Sequence, residues 1–186
     1  MELNLIRHPR PATEPDVCIG QRDVECAAGW EAHAERLVRV MPPPQRVYTS
    51  PSRRCRVLAE RLASGHRLKA QADARLLELN FGDWEGRRWS DIGHGAAAAG
   101  SDSLSLAPPG GETWGELLAR VEDFLAALPR SLEQVAIVTH SGPVRAALVN
   151  CLGLPAAAGT RFDVGYGRLT RLKETSGEWR LEVLNA

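Results

Sequence analysis

Short apolar runs alternate along this chain with longer stretches of helical period. Leu3-Asn4-Leu5-Ile6 predicts a buried strand, and Arg46-Val47-Tyr48-Thr49 predicts a second. Val135-Ala136-Ile137-Val138 is the most strand-like segment, unbroken and apolar. An extended segment is expected within 67–79, ending at Leu76-Leu77-Glu78-Leu79, and two more near 168–173 and 179–184. Between these runs, apolar residues recur at helical spacing. Trp30, Ala34, Leu37, Val38 and Met41 form one stripe, closed by Pro42-Pro43-Pro44. Ser50-Pro51 opens a second helix carrying Cys55, Leu58, Ala59 and Leu62. Thr113 is placed to cap a third, whose stripe runs from Trp114 through Leu117, Val121 and Phe124 to Leu128. A fourth runs from Pro143 to Leu152.

Strands alternating with helices predict α/β architecture around a mainly parallel sheet. Wholly apolar strands fit a sheet covered on both faces, a three-layer α/β/α sandwich. The chain has 186 residues, which predicts one domain against a prior of ~150 residues per domain. The stretch 81–112 is irregular and long for a structureless connection, as in a functional loop or lid.

Composition narrows the function classes. Twenty-three Lys and Arg balance 23 Asp and Glu, which argues against broad nucleic-acid or anionic-membrane binding. No apolar run approaches the ~18 residues of a membrane span. The first residues do not read as a secretory signal. Cys18, Cys26, Cys55 and Cys151 form no CxxC pair, which argues against a zinc site or a disulfide framework and for a reducing cytoplasm. Oligomeric state is not legible in the sequence.

Three strand-to-helix junctions carry polar residues: Arg7-His8, Ser50-Pro51-Ser52-Arg53-Arg54 and Thr139-His140-Ser141-Gly142. In an open α/β sheet, ligands bind beyond the carboxyl ends of the strands. Helix N-termini there attract anions, and guanidinium groups match phosphate oxygens in a bidentate fork. The ligand predicted from position and residue type is a phosphate, and the partner expected is a small phosphorylated metabolite.

These residues resemble the histidine phosphatase superfamily, which includes the phosphoglycerate mutases. Arg7-His8 resembles its signature, and Ser50 to Cys55 its second arginine motif, in which the residue at Arg54 binds phosphate. Leu76 to Gly86 resembles the block that supplies an acidic residue, here Glu78. Pro109-Gly110-Gly111-Glu112-Thr113 resembles its Gly-Gly-Glu turn, and Val138 to Gly142 its second-histidine motif. The resemblance implies a phosphoglycerate mutase-like fold and a phosphatase needing neither cofactor nor metal. His8 would be the nucleophile, forming a phosphohistidine that water hydrolyses. Arg7, Arg54 and an imidazolium at His140 would clamp the phosphoryl oxygens. Glu78 would be the general acid, with Asp83, Glu85 and Glu112 as rivals. Ser141 and Gly142 would either offer N–H groups to the phosphate or cap a helix. Arg53 is assigned no role.

A narrower resemblance covers the opening. Arg7-His8-Pro9 followed by Cys18-Ile19-Gly20-Gln21-Arg22-Asp23-Val24 is similar to the start of alpha-ribazole phosphatases of cobalamin nucleotide-loop synthesis. It implies alpha-ribazole 5′-phosphate as substrate, with Gln21 and Asp23 against its organic part. Trp84, Trp89 and Trp114 would either stack on a flat base or pack against the core. Two residues depart from the pattern: Pro9 stands where Gly is usual and offers no N–H, and Glu14 stands near the place of a phosphate-holding Asn. Three alternatives remain at this stage: a broad small-molecule phosphatase, a mutase-like enzyme, and a phosphate-binding module without turnover. Mutases carry longer insertions than 186 residues readily hold.

Overall fold

The computed structural model describes residues 1–92 and 107–186. Six strands form one sheet in the order β3-β2-β4-β1-β5-β6: β1 (Glu2–Arg7), β2 (Arg46–Thr49), β3 (Ala70–Ala72), β4 (Gln134–Thr139), β5 (Leu169–Thr175) and β6 (Glu178–Val183). The first four run parallel; β5 is antiparallel to β1, and β6 to β5. The helices are α1 (Trp30–Val40), α2 (Arg53–Gly65), the single turn α3 (Trp89–Ile92), α4 (Trp114–Ala126) and α5 (Ser141–Leu152).

The strands' period of two builds the layers. Leu3 and Leu5 of β1 and Val135 and Ile137 of β4 pack with Leu117, Phe124 and Leu148 of α4 and α5. The alternate residues Ile6, Ala136 and Val138 turn the other way, onto Leu37 of α1 and Leu58 and Leu62 of α2. Each Val, Leu, Ile or Phe side chain so buried contributes about 1.5–3 kcal/mol. The result is the α/β/α sandwich that the apolar runs predict. Thr113 caps α4 in a reciprocal box with Glu116, an arrangement whose loss typically costs ~1 kcal/mol.

Three predicted elements differ. The helix expected to open at Ser50-Pro51 begins at Arg53, with Ser52 as its N-cap. The segment Leu76–Leu79 is not a strand: the sheet pairing stops at Ala72, where Asp73 accepts the N–H of Arg75 and starts a 3₁₀ turn over Ala74–Leu76. That turn swings Glu78 off the sheet edge. The helix placed at Pro143 begins two residues earlier, at Ser141. Of the irregular stretch 81–112, residues 81–92 hold a 3₁₀ turn at Gly82–Trp84 and the helix α3. Residues 93–106 of the expected lid lie outside the described part.

Register places the site. Arg7 is opposite Thr139 at the ends of β1 and β4, the N–H of His8 reaches Thr139 O at 2.8 Å, and the N–H of Ser50 reaches Val138 O at 3.0 Å. The polar ends of β1, β2 and β4 therefore lie side by side.

Candidate active site

A cavity of about 320 Å³ opens at these strand ends. Arg7, His8, Arg54, Glu78, Ser141 and Arg145 give it its chemistry, and Ile19, Leu79, Phe81, Trp89, Trp114 and Tyr166 its apolar wall. Glu78 is the one carboxylate lining it among the described residues.

His8 is buried with its Nδ1 2.6 Å from the carbonyl oxygen of Pro9. A carbonyl can only accept, so Nδ1 carries the proton and Nε2 keeps its lone pair. Burial, and then the neighbouring Arg54 guanidinium, hold this imidazole well below its ordinary value of 6.5. The ring is neutral and its Nε2 accepts the Arg54 Nε–H at 3.3 Å.

Arg54, 1% exposed, is fixed from several sides. Its terminal nitrogens donate to Arg22 O and Gly20 O, each at 2.7 Å, and to His140 Nδ1 at 3.0 Å. Since a guanidinium only donates, His140 Nδ1 is an acceptor and its Nε2–H points at Ser50 Oγ, 2.8 Å away. Arg7 donates to Val164 O and lies over the ring of Tyr166, its guanidinium carbon 3.6 Å from the ring centre. Its Nε is buried with no partner among the described residues.

Glu78 takes three donors. Oε1 accepts from the N–H of Leu79 at 2.9 Å and of Gly142 at 3.0 Å, and Oε2 lies 3.1 Å from Ser141 Oγ. The N-terminus of α5 thus faces a carboxylate, the charge its dipole favours. The Glu78 carbonyl is held as well, by Gln21 Nε2 at 2.9 Å and by Arg120 at 3.0 Å.

Several expectations from the sequence are corrected by this geometry. His140 is fully buried and does not line the cavity. Burial, His8 and Arg54 hold it well below its ordinary value, so it is a neutral prop for Arg54 instead of an imidazolium clamp. The Gly142 N–H, expected to face the phosphate or to cap a helix, donates to Glu78 Oε1, and the Ser141 hydroxyl lies against Oε2. Gln21 braces the Glu78 backbone, and Asp23 accepts the Arg53 N–H at 2.7 Å, capping α2; neither lines the cavity. Of the rival acids, Glu112 pairs with Arg120 at 2.6 Å, and Glu85 accepts the N–H groups of Gln21 and Phe81. Trp89 and Trp114 line the cavity and Trp84 does not; the Trp114 indole N–H is taken by Ala156 O at 3.1 Å. Glu14 pairs with Arg88 on the surface, which removes its charge from the phosphate-binding end. Arg53 is exposed and pairs with Glu25. Arg145, Tyr166, Arg120 and the carbonyls of Gly20 and Arg22 carry no motif of their own and were not legible in the sequence.

The model of the histidine phosphatase superfamily (branch 1) matches residues 3–186. The chain belongs to the histidine phosphatase superfamily. It is 30% identical over 150 residues to the adenosylcobalamin/alpha-ribazole phosphatase of Salmonella typhimurium, covering 77% of this chain and 74% of that protein. It is 28% identical over 191 residues to the glucosyl-3-phosphoglycerate phosphatase of Mycobacterium tuberculosis, covering 90% and 86%. The crystal structure of the alpha-ribazole phosphatase of Shigella flexneri superposes with a TM-score of 0.89 at 26% identity, over 100% of this chain and 96% of that one. The phosphoglycerate mutase-like fold is therefore shown, and this histidine phosphatase is a hydrolase of phosphoric monoesters. Among the described residues no helix is long and apolar enough to cross a membrane, and no group of three or more His, Cys, Asp or Glu is arranged to hold a metal ion. All four cysteines are free thiols.

Proposed function

We propose that this phosphatase works through a phosphohistidine on His8 and that its substrate is alpha-ribazole 5′-phosphate. The observation that carries the mechanism is the Nδ1–Pro9 contact of 2.6 Å, which leaves Nε2 as the nucleophile. Arg54 Nε lies beside that nitrogen and Arg7 lines the same cavity, so guanidinium groups flank the place where phosphorus must sit. Phosphoryl transfer rests on such positioning and on stabilising charge spread over three oxygens. Nε2 attacks, the ester P–O bond breaks, and its electron pair leaves with the alcohol oxygen, which takes a proton originating on Glu78. Water then cleaves the P–N bond and the proton returns. His140 is a positioning residue that fixes Arg54 against His8. Guanidinium charge replaces that of a metal, so the reaction needs no cofactor.

Support for the substrate comes from the opening block around Cys18–Val24, from the alpha-ribazole phosphatases among the relatives, and from an aromatic wall of Phe81, Trp89 and Trp114 fit for a flat base. Its place in cobalamin nucleotide-loop synthesis rests on the same relatives. Free thiols suit a reducing cytoplasm. A second reading has its own observation. Arg145 lines the cavity with only its Nε engaged among the described residues, by Phe162 O at 2.9 Å. Its two terminal nitrogens suit a substrate with a second anionic group, as in a phosphorylated glycerate. The test is kcat/KM on alpha-ribazole 5′-phosphate, a phosphoglycerate ester and a panel of nucleotide and sugar phosphates, with wild type and Arg145→Gln. Preference for alpha-ribazole 5′-phosphate, indifferent to Arg145→Gln, is the expected result. A preference for the glycerate ester, lost in Arg145→Gln, would establish the second reading.

A further inference from the structure

The two oxygens of Glu78 have unlike surroundings. Oε1 is held by two backbone N–H groups, from Leu79 and Gly142. An amide N–H cannot become an acceptor, so Oε1 does not bear the proton. Oε2 lies 3.1 Å from Ser141 Oγ, a hydroxyl able to donate and to accept. A proton on Glu78 therefore sits on Oε2 and points at Ser141. Glu78, Ser141 and His8 line one cavity.

We propose that Ser141 is a catalytic residue that relays the proton between Glu78 and the leaving oxygen. The proposal rests on the reading of Glu78 as the source of that proton. In the carboxylate form Ser141 Oγ donates to Oε2; when Glu78 takes up a proton, Oε2–H donates to Ser141 Oγ instead and the hydroxyl hydrogen of Ser141 turns into the cavity. His8 Nε2 forms its bond to phosphorus while the ester P–O bond breaks. The Ser141 hydroxyl proton passes to the departing oxygen, and the Glu78 proton passes to Ser141 Oγ. The alcohol leaves neutral, Ser141 is again a hydroxyl, and Glu78 is a carboxylate. In the second half-reaction water attacks phosphorus and the P–N electron pair returns to Nε2. A water proton passes to Ser141 Oγ as the serine proton returns to Glu78 Oε2. Protons and electrons balance over the cycle without an outside reagent.

The experiment is single-turnover hydrolysis of one alkyl and one aryl phosphate by wild type, Ser141→Ala, Ser141→Thr and Glu78→Gln, with a proton inventory in mixed H₂O and D₂O. The relay predicts that Ser141→Ala slows the alkyl ester on the order of 10²-fold, the scale of a positioned acid, and the aryl ester little. Ser141→Thr, which keeps the hydroxyl, restores most of the rate. The wild-type inventory on the alkyl ester is curved, as for two protons in flight, and that of Ser141→Ala is linear. A linear wild-type inventory, or an alkyl rate unaffected in Ser141→Ala, would overturn the relay while leaving Glu78 as a direct donor. Weaker inhibition of Ser141→Ala by inorganic phosphate with normal alkyl turnover would also overturn it and make Ser141 a phosphate ligand. Glu78→Gln with wild-type alkyl rates would instead refute the role of Glu78 itself.

Discussion

The carbonyl oxygen of Pro9 lies 2.6 Å from Nδ1 of His8. The residue that breaks the family pattern by lacking an N–H thus supplies the acceptor that sets the nucleophile. A proline has no donor to lose and keeps its carbonyl. The imidazole tautomer, and with it the attacking nitrogen, is fixed by the backbone one residue away.

Removing the imidazole should separate binding from turnover. In His8→Ala, Arg7 and Arg54 keep their backbone anchors at Val164, Arg22 and Gly20. Turnover should vanish while inorganic phosphate still raises the melting temperature. A substantial residual rate would remove His8 from the role of nucleophile.

Gly142 has a steric reason to be glycine. A Cβ there would lie 2.2 Å from Glu78 Oε1 and 3.0 Å from Leu117 Cδ2. Gly142→Ala should push the carboxylate from its N–H donors. On the scale of a misplaced general acid, alkyl ester turnover should fall roughly 10²-fold, with aryl phosphates far less affected. Equal kinetics on both esters, at wild-type rates, would show that the Glu78–Gly142 contact is dispensable.

Tyr166 lies beneath Arg7 with the guanidinium carbon 3.6 Å from its ring centre. Cation–π contacts of ~0.5–2 kcal/mol convert to roughly a 2- to 30-fold loss of affinity. Tyr166→Leu should weaken inhibition by phosphate within that range, and Tyr166→Phe should not. Identical inhibition constants for the two variants would mean that the ring face does not hold Arg7.

These contacts mark where sequence reading stops. The strands around Leu5, Val47 and Ile137 announce themselves because apolar runs and sheet burial share one cause. Arg7, His8, Arg54, Glu78 and His140 stand in blocks whose order and spacing are visible along the chain, and the fold brings them together. What the blocks cannot convey is which partner each side chain takes. Gln21 and Asp23 are spent on backbone groups of Glu78 and Arg53. Ser141 faces a carboxylate because a 3₁₀ turn after β3 carries Glu78 to α5, and that turn replaces the strand expected at Leu76–Leu79. Tyr166, in the turn before β5, and Arg145, on α5, stand outside the blocks as single residues and reach the site through the fold.

Acid should destabilise the fold through the site. His8 and His140 are both held well below 6.5 by burial. In the unfolded chain they protonate as the pH falls below 6.5, while in the folded chain they stay neutral. Stability associated with the pair is present above 6.5 and lost as pH falls from there toward the folded-state values. Two extra protons on the unfolded state give a limiting slope of about 2.7 kcal/mol per pH unit. Denaturant midpoints measured from pH 8 to pH 5 should decline below 6.5, and less so in His140→Gln. A flat profile for the wild type would contradict neutral, buried histidines.

The most direct test is to catch the covalent intermediate. Wild-type protein mixed with excess substrate and quenched in alkali within a turnover should carry one phosphoryl group, stable to base and labile to acid, on the peptide that contains His8. His8→Ala should carry none. A phosphoryl group on any other residue, or rapid turnover with no phosphohistidine formed, would contradict the mechanism.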